Sequence, residues 1–387
     1  MMAMYPRRQT LPKRTFFLFG PRATGKTTWL RERLPDARWY NLLREQEMIR
    51  LVREPGLFAA EAGALPKASW VVIDEVQRLP ALLNEVHDLV SRRQDLRFAI
   101  TGSSSRKLKR GQANLLAGRA ITRLFFPLVA AELGDLGPVD DLLAFGCLPQ
   151  VRSEADRRTR IDLLEAYGTT YLAEEIRAEA LVKSLAAFSR FLEVAALMNG
   201  QVTNVSSISR DAGVARPTVQ GYFDVLVDTL IACWLPAFRP RARVKELAHP
   251  KLYFFDTGVV RSLSRRLREP LEAAERGPLL ETYVLHELRA YMNDSGCGGE
   301  LSYWRTPSGS EVDFIWSRGG RHVAIEVKAS ERWRTEEGRS LRELAAKLGK
   351  TTSVVVYLGH VPLRSDSLEV LPLDQFLGRL NRGELLS

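Results

Sequence analysis

Gly20-Pro21-Arg22-Ala23-Thr24-Gly25-Lys26-Thr27 is the stretch that decides how this chain is read. It fits the phosphate-binding pattern G-x-x-x-x-G-K-[ST], and its flanks are the ones the pattern requires. Phe16-Phe17-Leu18-Phe19 ahead of it predicts a short buried strand, and Thr28-Trp29-Leu30-Arg31-Glu32-Arg33-Leu34 behind it predicts the helix that the loop opens. Glycines let the backbone curl, so that successive N–H groups and the helix N-terminus converge on an anion. The run Gly20, Pro21, Arg22, Ala23, Thr24, Gly25, Lys26, Thr27 and Thr28 is therefore the expected nucleotide cradle. Lys26 is placed to reach the β- and γ-phosphates, and the Thr27 hydroxyl to hold Mg²⁺.

Trp70-Val71-Val72-Ile73-Asp74-Glu75 supplies the second half of such a site. Four apolar residues running into two acids describe a parallel strand that is buried on both faces and delivers carboxylates at its C-terminal end. Open α/β sheets bind ligands at that edge. Asp74 is expected to join the magnesium shell, and Glu75 to polarise the water that attacks the γ-phosphate. Arg97-Phe98-Ala99-Ile100-Thr101 predicts another buried strand, followed by Gly102-Ser103-Ser104; either Thr101 or Ser103 is the candidate hydroxyl for sensing the γ-phosphate. These elements predict a fold that hydrolyses a nucleoside triphosphate, with ATP and Mg²⁺ as its ligands.

At 387 residues the chain is expected to form two or three domains. A hydrophobic fraction of 45% and a charged fraction of 26% are those of a soluble globular protein. No apolar run reaches membrane-spanning length, and Met1 to Arg8 is not a signal peptide. Cys147, Cys233 and Cys297 are widely spaced, which fits a reducing cytoplasm and argues against a disulfide framework or a zinc site. The net charge of +10 suits a polyanionic partner such as DNA. Basic residues cluster at Arg106, Lys107, Lys109 and Arg110, at Arg239, Arg241, Arg243 and Lys245, and at Arg261, Arg265, Arg266 and Arg268.

Residues 1–130 alternate strands with helical stretches, as in a three-layer α/β/α domain. The expected strands are Phe16–Phe19, Arg38–Asn41, Trp70–Asp74, Arg97–Thr101 and Thr122–Phe126. Residues 131–184 predict a helical lid, with Ile161, Leu164, Tyr167, Tyr171 and Leu172 forming a stripe of 3.6-residue period. Residues 185–270 predict a winged helix. Val205 to Tyr222 reads as helix–turn–helix, with Gly213 in the turn and Pro217 in the first turn of the second helix. Val219, Phe223 and Leu226 are its buried stripe. Arg216, Thr218, Gln220 and Tyr222 are then free for a DNA groove, and Arg239, Arg241 and Arg243 sit in the strand-rich wing.

Residues 271–387 hold a second constellation. Glu281 and Glu287 lie on a helix expected over Leu279 to Met292. Asp313 lies in Glu311-Val312-Asp313-Phe314-Ile315, and Val323-Ala324-Ile325-Glu326-Val327-Lys328 follows across a Gly319-Gly320 hairpin. A hairpin brings Asp313 beside Glu326, while alternation puts Glu326 and Lys328 on one face. Carboxylates so placed suit Mg²⁺ in a nuclease-like site, with Lys328 activating water. An ordinary cross-strand charge pair is the alternative.

Together these residues resemble prokaryotic AAA+ ATPases that carry a C-terminal module of winged helix plus PD-(D/E)XK nuclease-like fold. The resemblance rests on the phosphate loop, Asp74-Glu75-Val76-Gln77, Thr101-Gly102-Ser103-Ser104 and Leu116-Ala117-Gly118-Arg119. It continues through Gly146-Cys147-Leu148-Pro149, Pro250-Lys251-Leu252-Tyr253-Phe254-Phe255-Asp256-Thr257-Gly258, and Asp313 with Glu326-Val327-Lys328. It implies a ring, six subunits being the expected number, in which a neighbour's arginine completes each nucleotide site. Arg119 is the finger it points to, with Arg106 and Arg123 as competitors, and the lid shows no second sensor arginine. It implies Glu281 as the helix carboxylate of the metal set Glu281, Asp313 and Glu326, with Glu287 in reserve. The expected function is a DNA-binding ATPase that translocates or remodels duplex or branched DNA. An ATP-gated nuclease and a nucleotide-dependent switch with a protein partner are the alternatives.

Overall fold

The computed structural model describes residues 5–103, 116, 118–171, 184–239 and 249–385. Arg106, Arg241 and Arg243 lie outside them. The chain falls into two compact units: Pro6–Pro127 with Val225–Ile231 make one, and Leu128–Asp224 with Ala232 onward make the body of the other.

In the first unit β1 (Phe16–Phe19), β2 (Arg38–Asn41), β3 (Trp70–Asp74), β4 (Arg97–Gly102) and β5 (Ile121–Leu124) form one sheet in the order β2-β3-β4-β1-β5. Every pairing is parallel. Side-chain alternation divides the core. Phe16, Leu18, Val72 and Ala99 bury one face against Trp29 and Leu30 of the helix Lys26–Arg33. Phe17, Phe19, Val71, Ile73, Phe98 and Ile100 bury the other against Phe58, Leu83, Val86 and Leu89. Apolar side chains on both faces of the central strands are what make their sequences continuous hydrophobic runs. The last strand starts one residue earlier and ends two earlier than the expected Thr122–Phe126. The Phe125 N–H still bonds the Phe19 carbonyl at 2.7 Å, but the chain then turns into Pro127, which has no N–H to continue a ladder.

In the second unit the helices Val205–Ala212 and Arg216–Asp228 are joined through Gly213, whose φ of 62° is the left-handed conformation glycine adopts without strain. Asn204 caps the first of them by accepting the Ser206 and Ser207 N–H groups. β6 (Ala232–Leu235) and β7 (Lys251–Phe254) form an antiparallel pair. A six-stranded sheet follows: β8 (Glu300–Arg305), β9 (Glu311–Arg318), β10 (Arg321–Lys328), β11 (Thr351–Tyr357), β12 (Leu363–Ser365) and β13 (Leu368–Pro372), in the order β12-β13-β11-β10-β9-β8. β9 and β10 are antiparallel across Gly319 and Gly320, which both have positive φ, as a type I′ turn demands. β10 and β11 are parallel, and the intervening helix Arg339–Leu348 buries Leu341 and Leu344 on the sheet.

The helix carrying Glu281 runs Ala273–Ser295, longer at both ends than the expected Leu279 to Met292, because the Glu272 N–H bonds the Glu275 carboxylate and starts it earlier. The segments expected as lid (131–184), winged helix (185–270) and nuclease-like domain (271–387) all belong to this unit. Two stretches of the resemblance turn out to be packing. Asp256 accepts the Cys147 N–H at 2.7 Å and the Val259 N–H at 3.1 Å, and burial pushes its carboxyl up to about 6. A Cβ on Gly146 would sit 2.1 Å from Asp256 Oδ1, and one on Gly258 would sit 2.3 Å from the Phe145 carbonyl.

Candidate functional site: a phosphate loop and a separate acidic cluster

β1 and β3 both deliver their following residues to the C-terminal edge of the first sheet. There the loop after β1 makes the cradle. Gly25, with φ of 94°, turns the chain into the helix Lys26–Arg33, and Ala23 is also left-handed at 61°. Thr24 Oγ1 donates to the Pro21 carbonyl at 2.9 Å. Arg7 braces the loop from outside, donating to the Thr24 carbonyl at 2.7 Å and the Phe126 carbonyl at 2.6 Å, with its guanidinium over the Phe125 ring. Gly20 has to be glycine, since a Cβ there would lie 2.2 Å from the Phe125 carbonyl oxygen. Arg22 is half-buried and Thr28 exposed at the helix entrance.

The Lys26 ammonium is buried and donates to the carbonyls of Gly20 at 2.7 Å and Pro21 at 2.9 Å. Opposite it, Asp74 accepts the Thr101 hydroxyl at 2.6 Å and the Thr27 hydroxyl at 3.1 and 3.2 Å. Burial raises the Asp74 pKa; the Thr101 hydrogen bond pulls against that, and the neighbouring Glu75 adds to it. A cation at this carboxylate would relieve its desolvation. Thr27 and Asp74 therefore fit a hard divalent ion by donor chemistry, and the glycine cradle fits the phosphates it would accompany.

Glu75 sits in the left-handed region at φ 62°, unusual for a residue with a Cβ. Its N–H bonds Thr101 Oγ1 at 3.0 Å, and its carboxylate accepts the buried Gln77 amide, which also donates to Ser103 Oγ at 3.0 Å. Thr101 thus ties β4 to both acids, while Ser103 reaches Glu75 through Gln77. Sequence reasoning quoted Gln77 without giving it a role. A residue two past the acid is expected to point elsewhere, and only the Glu75 turn aims it back.

Arg119 does not approach the loop of its own chain. It precedes β5, whose Ile121 pairs with Phe16 at the start of β1, whereas the loop leaves from Phe19. Its guanidinium is exposed and contacts His87 Nε2 at 2.6 Å and Ser91 Oγ at 2.7 Å. Arg123 lies within β5.

In the second unit, Asp313 and Glu326 meet as the hairpin register requires, one step beyond the Phe314–Ile325 pair, and Asp313 Oδ2 accepts the Val327 N–H at 2.8 Å. Lys328 donates to Glu326 Oε1 at 2.6 Å. Glu281 faces the same cluster and is pushed up to about 8 by burial and then by the charge of Asp313. Glu287 does not reach it. That carboxylate accepts the Ala130 N–H and the Tyr283 hydroxyl, both at 2.7 Å. The metal set expected from Glu281, Asp313 and Glu326 is not formed: among the described residues no three His, Cys, Asp or Glu side chains are arranged to hold a metal ion. Two residues absent from the expected site occupy it. Lys251 forms ion pairs with Glu311 at 2.5 Å and Glu281 at 3.8 Å, and the Tyr253 hydroxyl donates to Glu281 at 2.7 Å.

On the helix after Gly213, Arg216, Thr218 and Gln220 are exposed, as is Arg239. Tyr222, expected to be free for a groove, is only 5% exposed and packs against Phe188 and Phe191 with ring centroids 4.9 and 5.3 Å away. Among the described residues no helix is long and apolar enough to cross a membrane.

Residues 12–134 match the family model described as an AAA domain. Residues 138–269 and 276–376 match two domains of unknown function, DUF8612 and DUF4143. Over 383 residues the chain is 29% identical to the uncharacterized proteins Mb2031c of Mycobacterium bovis and Rv2008c of Mycobacterium tuberculosis, covering 96% of this chain and 82% of each relative. A Walker-type ATPase of Pyrococcus abyssi superposes with a TM-score of 0.46 at 15% identity, covering 64% of this chain and 90% of that one. The ORC2 protein of Aeropyrum pernix gives 0.36 at 10% identity, covering 66% of this chain and 88% of that one. With the loop, Asp74 and Glu75 at one sheet edge inside the matched segment, the first unit is an ATPase domain of the AAA-like P-loop kind.

Proposed function

We propose that this chain is a Mg²⁺-dependent ATPase that grips DNA through its second unit and couples hydrolysis to translocation or remodelling of that DNA within a ring. The exposed Arg216, Thr218 and Gln220, at the start of a helix entered through left-handed Gly213, carry the DNA part of this reading. Helix–turn–helix proteins read base edges from that position. The net charge of +10 supplies the sequence-independent attraction to phosphate.

Mg²⁺ would be held by Thr27 and Asp74 and would neutralise charge on the β- and γ-phosphates. The rest falls to the protein. Lys26 exchanges two neutral carbonyl acceptors for phosphate oxygens, a stronger charge-assisted pairing. Glu75 accepts the proton of the attacking water, and Gln77 sets the direction of its carboxylate. Arg119, exposed at the opposite edge, is positioned to serve a neighbouring copy rather than its own site.

ATPase rates measured with single-stranded, duplex, forked and four-way-junction DNA at low salt, with strand products run from the same samples, test this. Stimulation by a DNA form that declines in Arg216→Ala/Gln220→Ala protein supports it. A rate indifferent to every DNA form, with no DNA bound at low salt, contradicts it.

A further inference from the structure

We propose that Lys251 is a built-in cation that fills the acidic cluster of the second unit in place of a divalent metal, and that removing its charge creates a metal site there. Four carboxylates (Glu281, Glu311, Asp313 and Glu326) gather in this cluster, and their own interactions leave them short of positive charge. Lys328 serves Glu326 through Oε1, but Glu326 Oε2 is fully buried and has no hydrogen-bond partner. Asp313 is buried with a single backbone N–H on Oδ2. An unanswered oxygen in a nest of acids is what a bound cation would satisfy.

The Lys251 side chain is that cation. It is 4% exposed, pairs with Glu311 and Glu281, and is also within the field of Asp313. Burial works against its charge, yet the carboxylates of Glu281, Asp313 and Glu311 outweigh burial and hold its pKa above the ordinary lysine value. An ammonium tethered to strand β7 is present at high effective concentration without leaving solvent each time, so it competes with Mg²⁺, which dehydrates reluctantly. The same strand brings Tyr253 onto Glu281, so two of the cluster's partners come from the β6–β7 pair rather than from the sheet that carries Asp313 and Glu326. This inference is independent of DNA binding and of the ATPase site.

Mn²⁺ titration of the full chain without nucleotide, followed by the electron paramagnetic resonance of free Mn²⁺, tests it. Wild-type and Asp313→Asn protein should bind the same number of ions, because native Lys251 already occupies the cluster. Lys251→Met should bind one more, with at least tenfold higher affinity than any residual binding of wild type to the cluster. Lys251→Met/Asp313→Asn should lose that extra ion, and Lys251→Arg, which keeps the charge, should not gain it. Wild-type protein that binds an ion lost in Asp313→Asn would overturn the proposal, as would a cooperatively melting Lys251→Met that gains none. If Lys251→Met does not fold, the wild-type and Asp313→Asn comparison still decides.

Discussion

The chain places a lysine against acids twice, and the two places are built differently. At the phosphate loop the Lys26 ammonium rests on two backbone carbonyls, while Asp74 is held by hydroxyls from Thr27 and Thr101. In the second unit Lys251 and Lys328 are already bound to carboxylates. Hydrogen bonds to charged partners are roughly twice as strong as neutral ones. The first lysine therefore exchanges its partners for a ligand at small cost, and the second pair does not. The difference teaches that a motif of acids and a lysine describes a ligand site only when its charges are left for the ligand.

Lys26→Ala is the harshest way to break this contrast. It should lower ATP hydrolysis by about 10³-fold or more, measured as steady-state phosphate release, whereas Lys328→Ala should leave hydrolysis near the wild-type rate. Equal losses in the two variants would show that the sites are not functionally distinct.

How much of this was legible follows from where the partners lie in the chain. The cradle is eight consecutive residues, and Asp74 ends a strand whose apolar run is unmistakable, so local pattern alone located both. The five strands of the first sheet were legible for the same reason, the β5 ends excepted. The acidic cluster was half legible. Asp313 and Glu326 follow from hairpin register, but Lys251 and Tyr253 arrive from a strand far upstream, and nothing local in the sequence signals their destination. Tyr222 failed because periodicity along one helix cannot see Phe188 and Phe191 packing on it from another.

Arg119→Ala sharpens the contrast from another side, since only the first site is expected to be completed by a second copy. Hydrolysis should fall about 10³-fold with ATP binding kept. Mixing this protein with Lys26→Ala should restore part of the rate, because one copy supplies the loop and the other the arginine. No recovery in the mixture, with mixed oligomers demonstrated, would remove Arg119 from that role.

Gln77→Ala removes a positioning partner and leaves Glu75 itself. The kcat should fall roughly 10- to 100-fold with KM nearly unchanged, and Gln77→Glu should not rescue it, because a second carboxylate cannot donate to Glu75. A change confined to KM would instead place Gln77 in nucleotide binding.

The smallest effect should come from a position outside both sites. Gly146→Ala places a Cβ 2.1 Å from Asp256 Oδ1 at a φ of 71°. It should destabilise the protein on the order of 2 kcal/mol, read from urea unfolding, without altering the acidic residues of either cluster. Unchanged stability would mean that the Asp256 contact is not what makes glycine necessary there.

The most direct test of the central claim is ATP binding and single-turnover hydrolysis by Glu75→Gln protein, with calorimetry and product release followed on the same preparation. The account predicts that this variant binds ATP and Mg²⁺ as wild type does but hydrolyses at least about 10²-fold more slowly. Wild-type turnover in Glu75→Gln, or no heat of ATP binding to the unmodified protein, would contradict it.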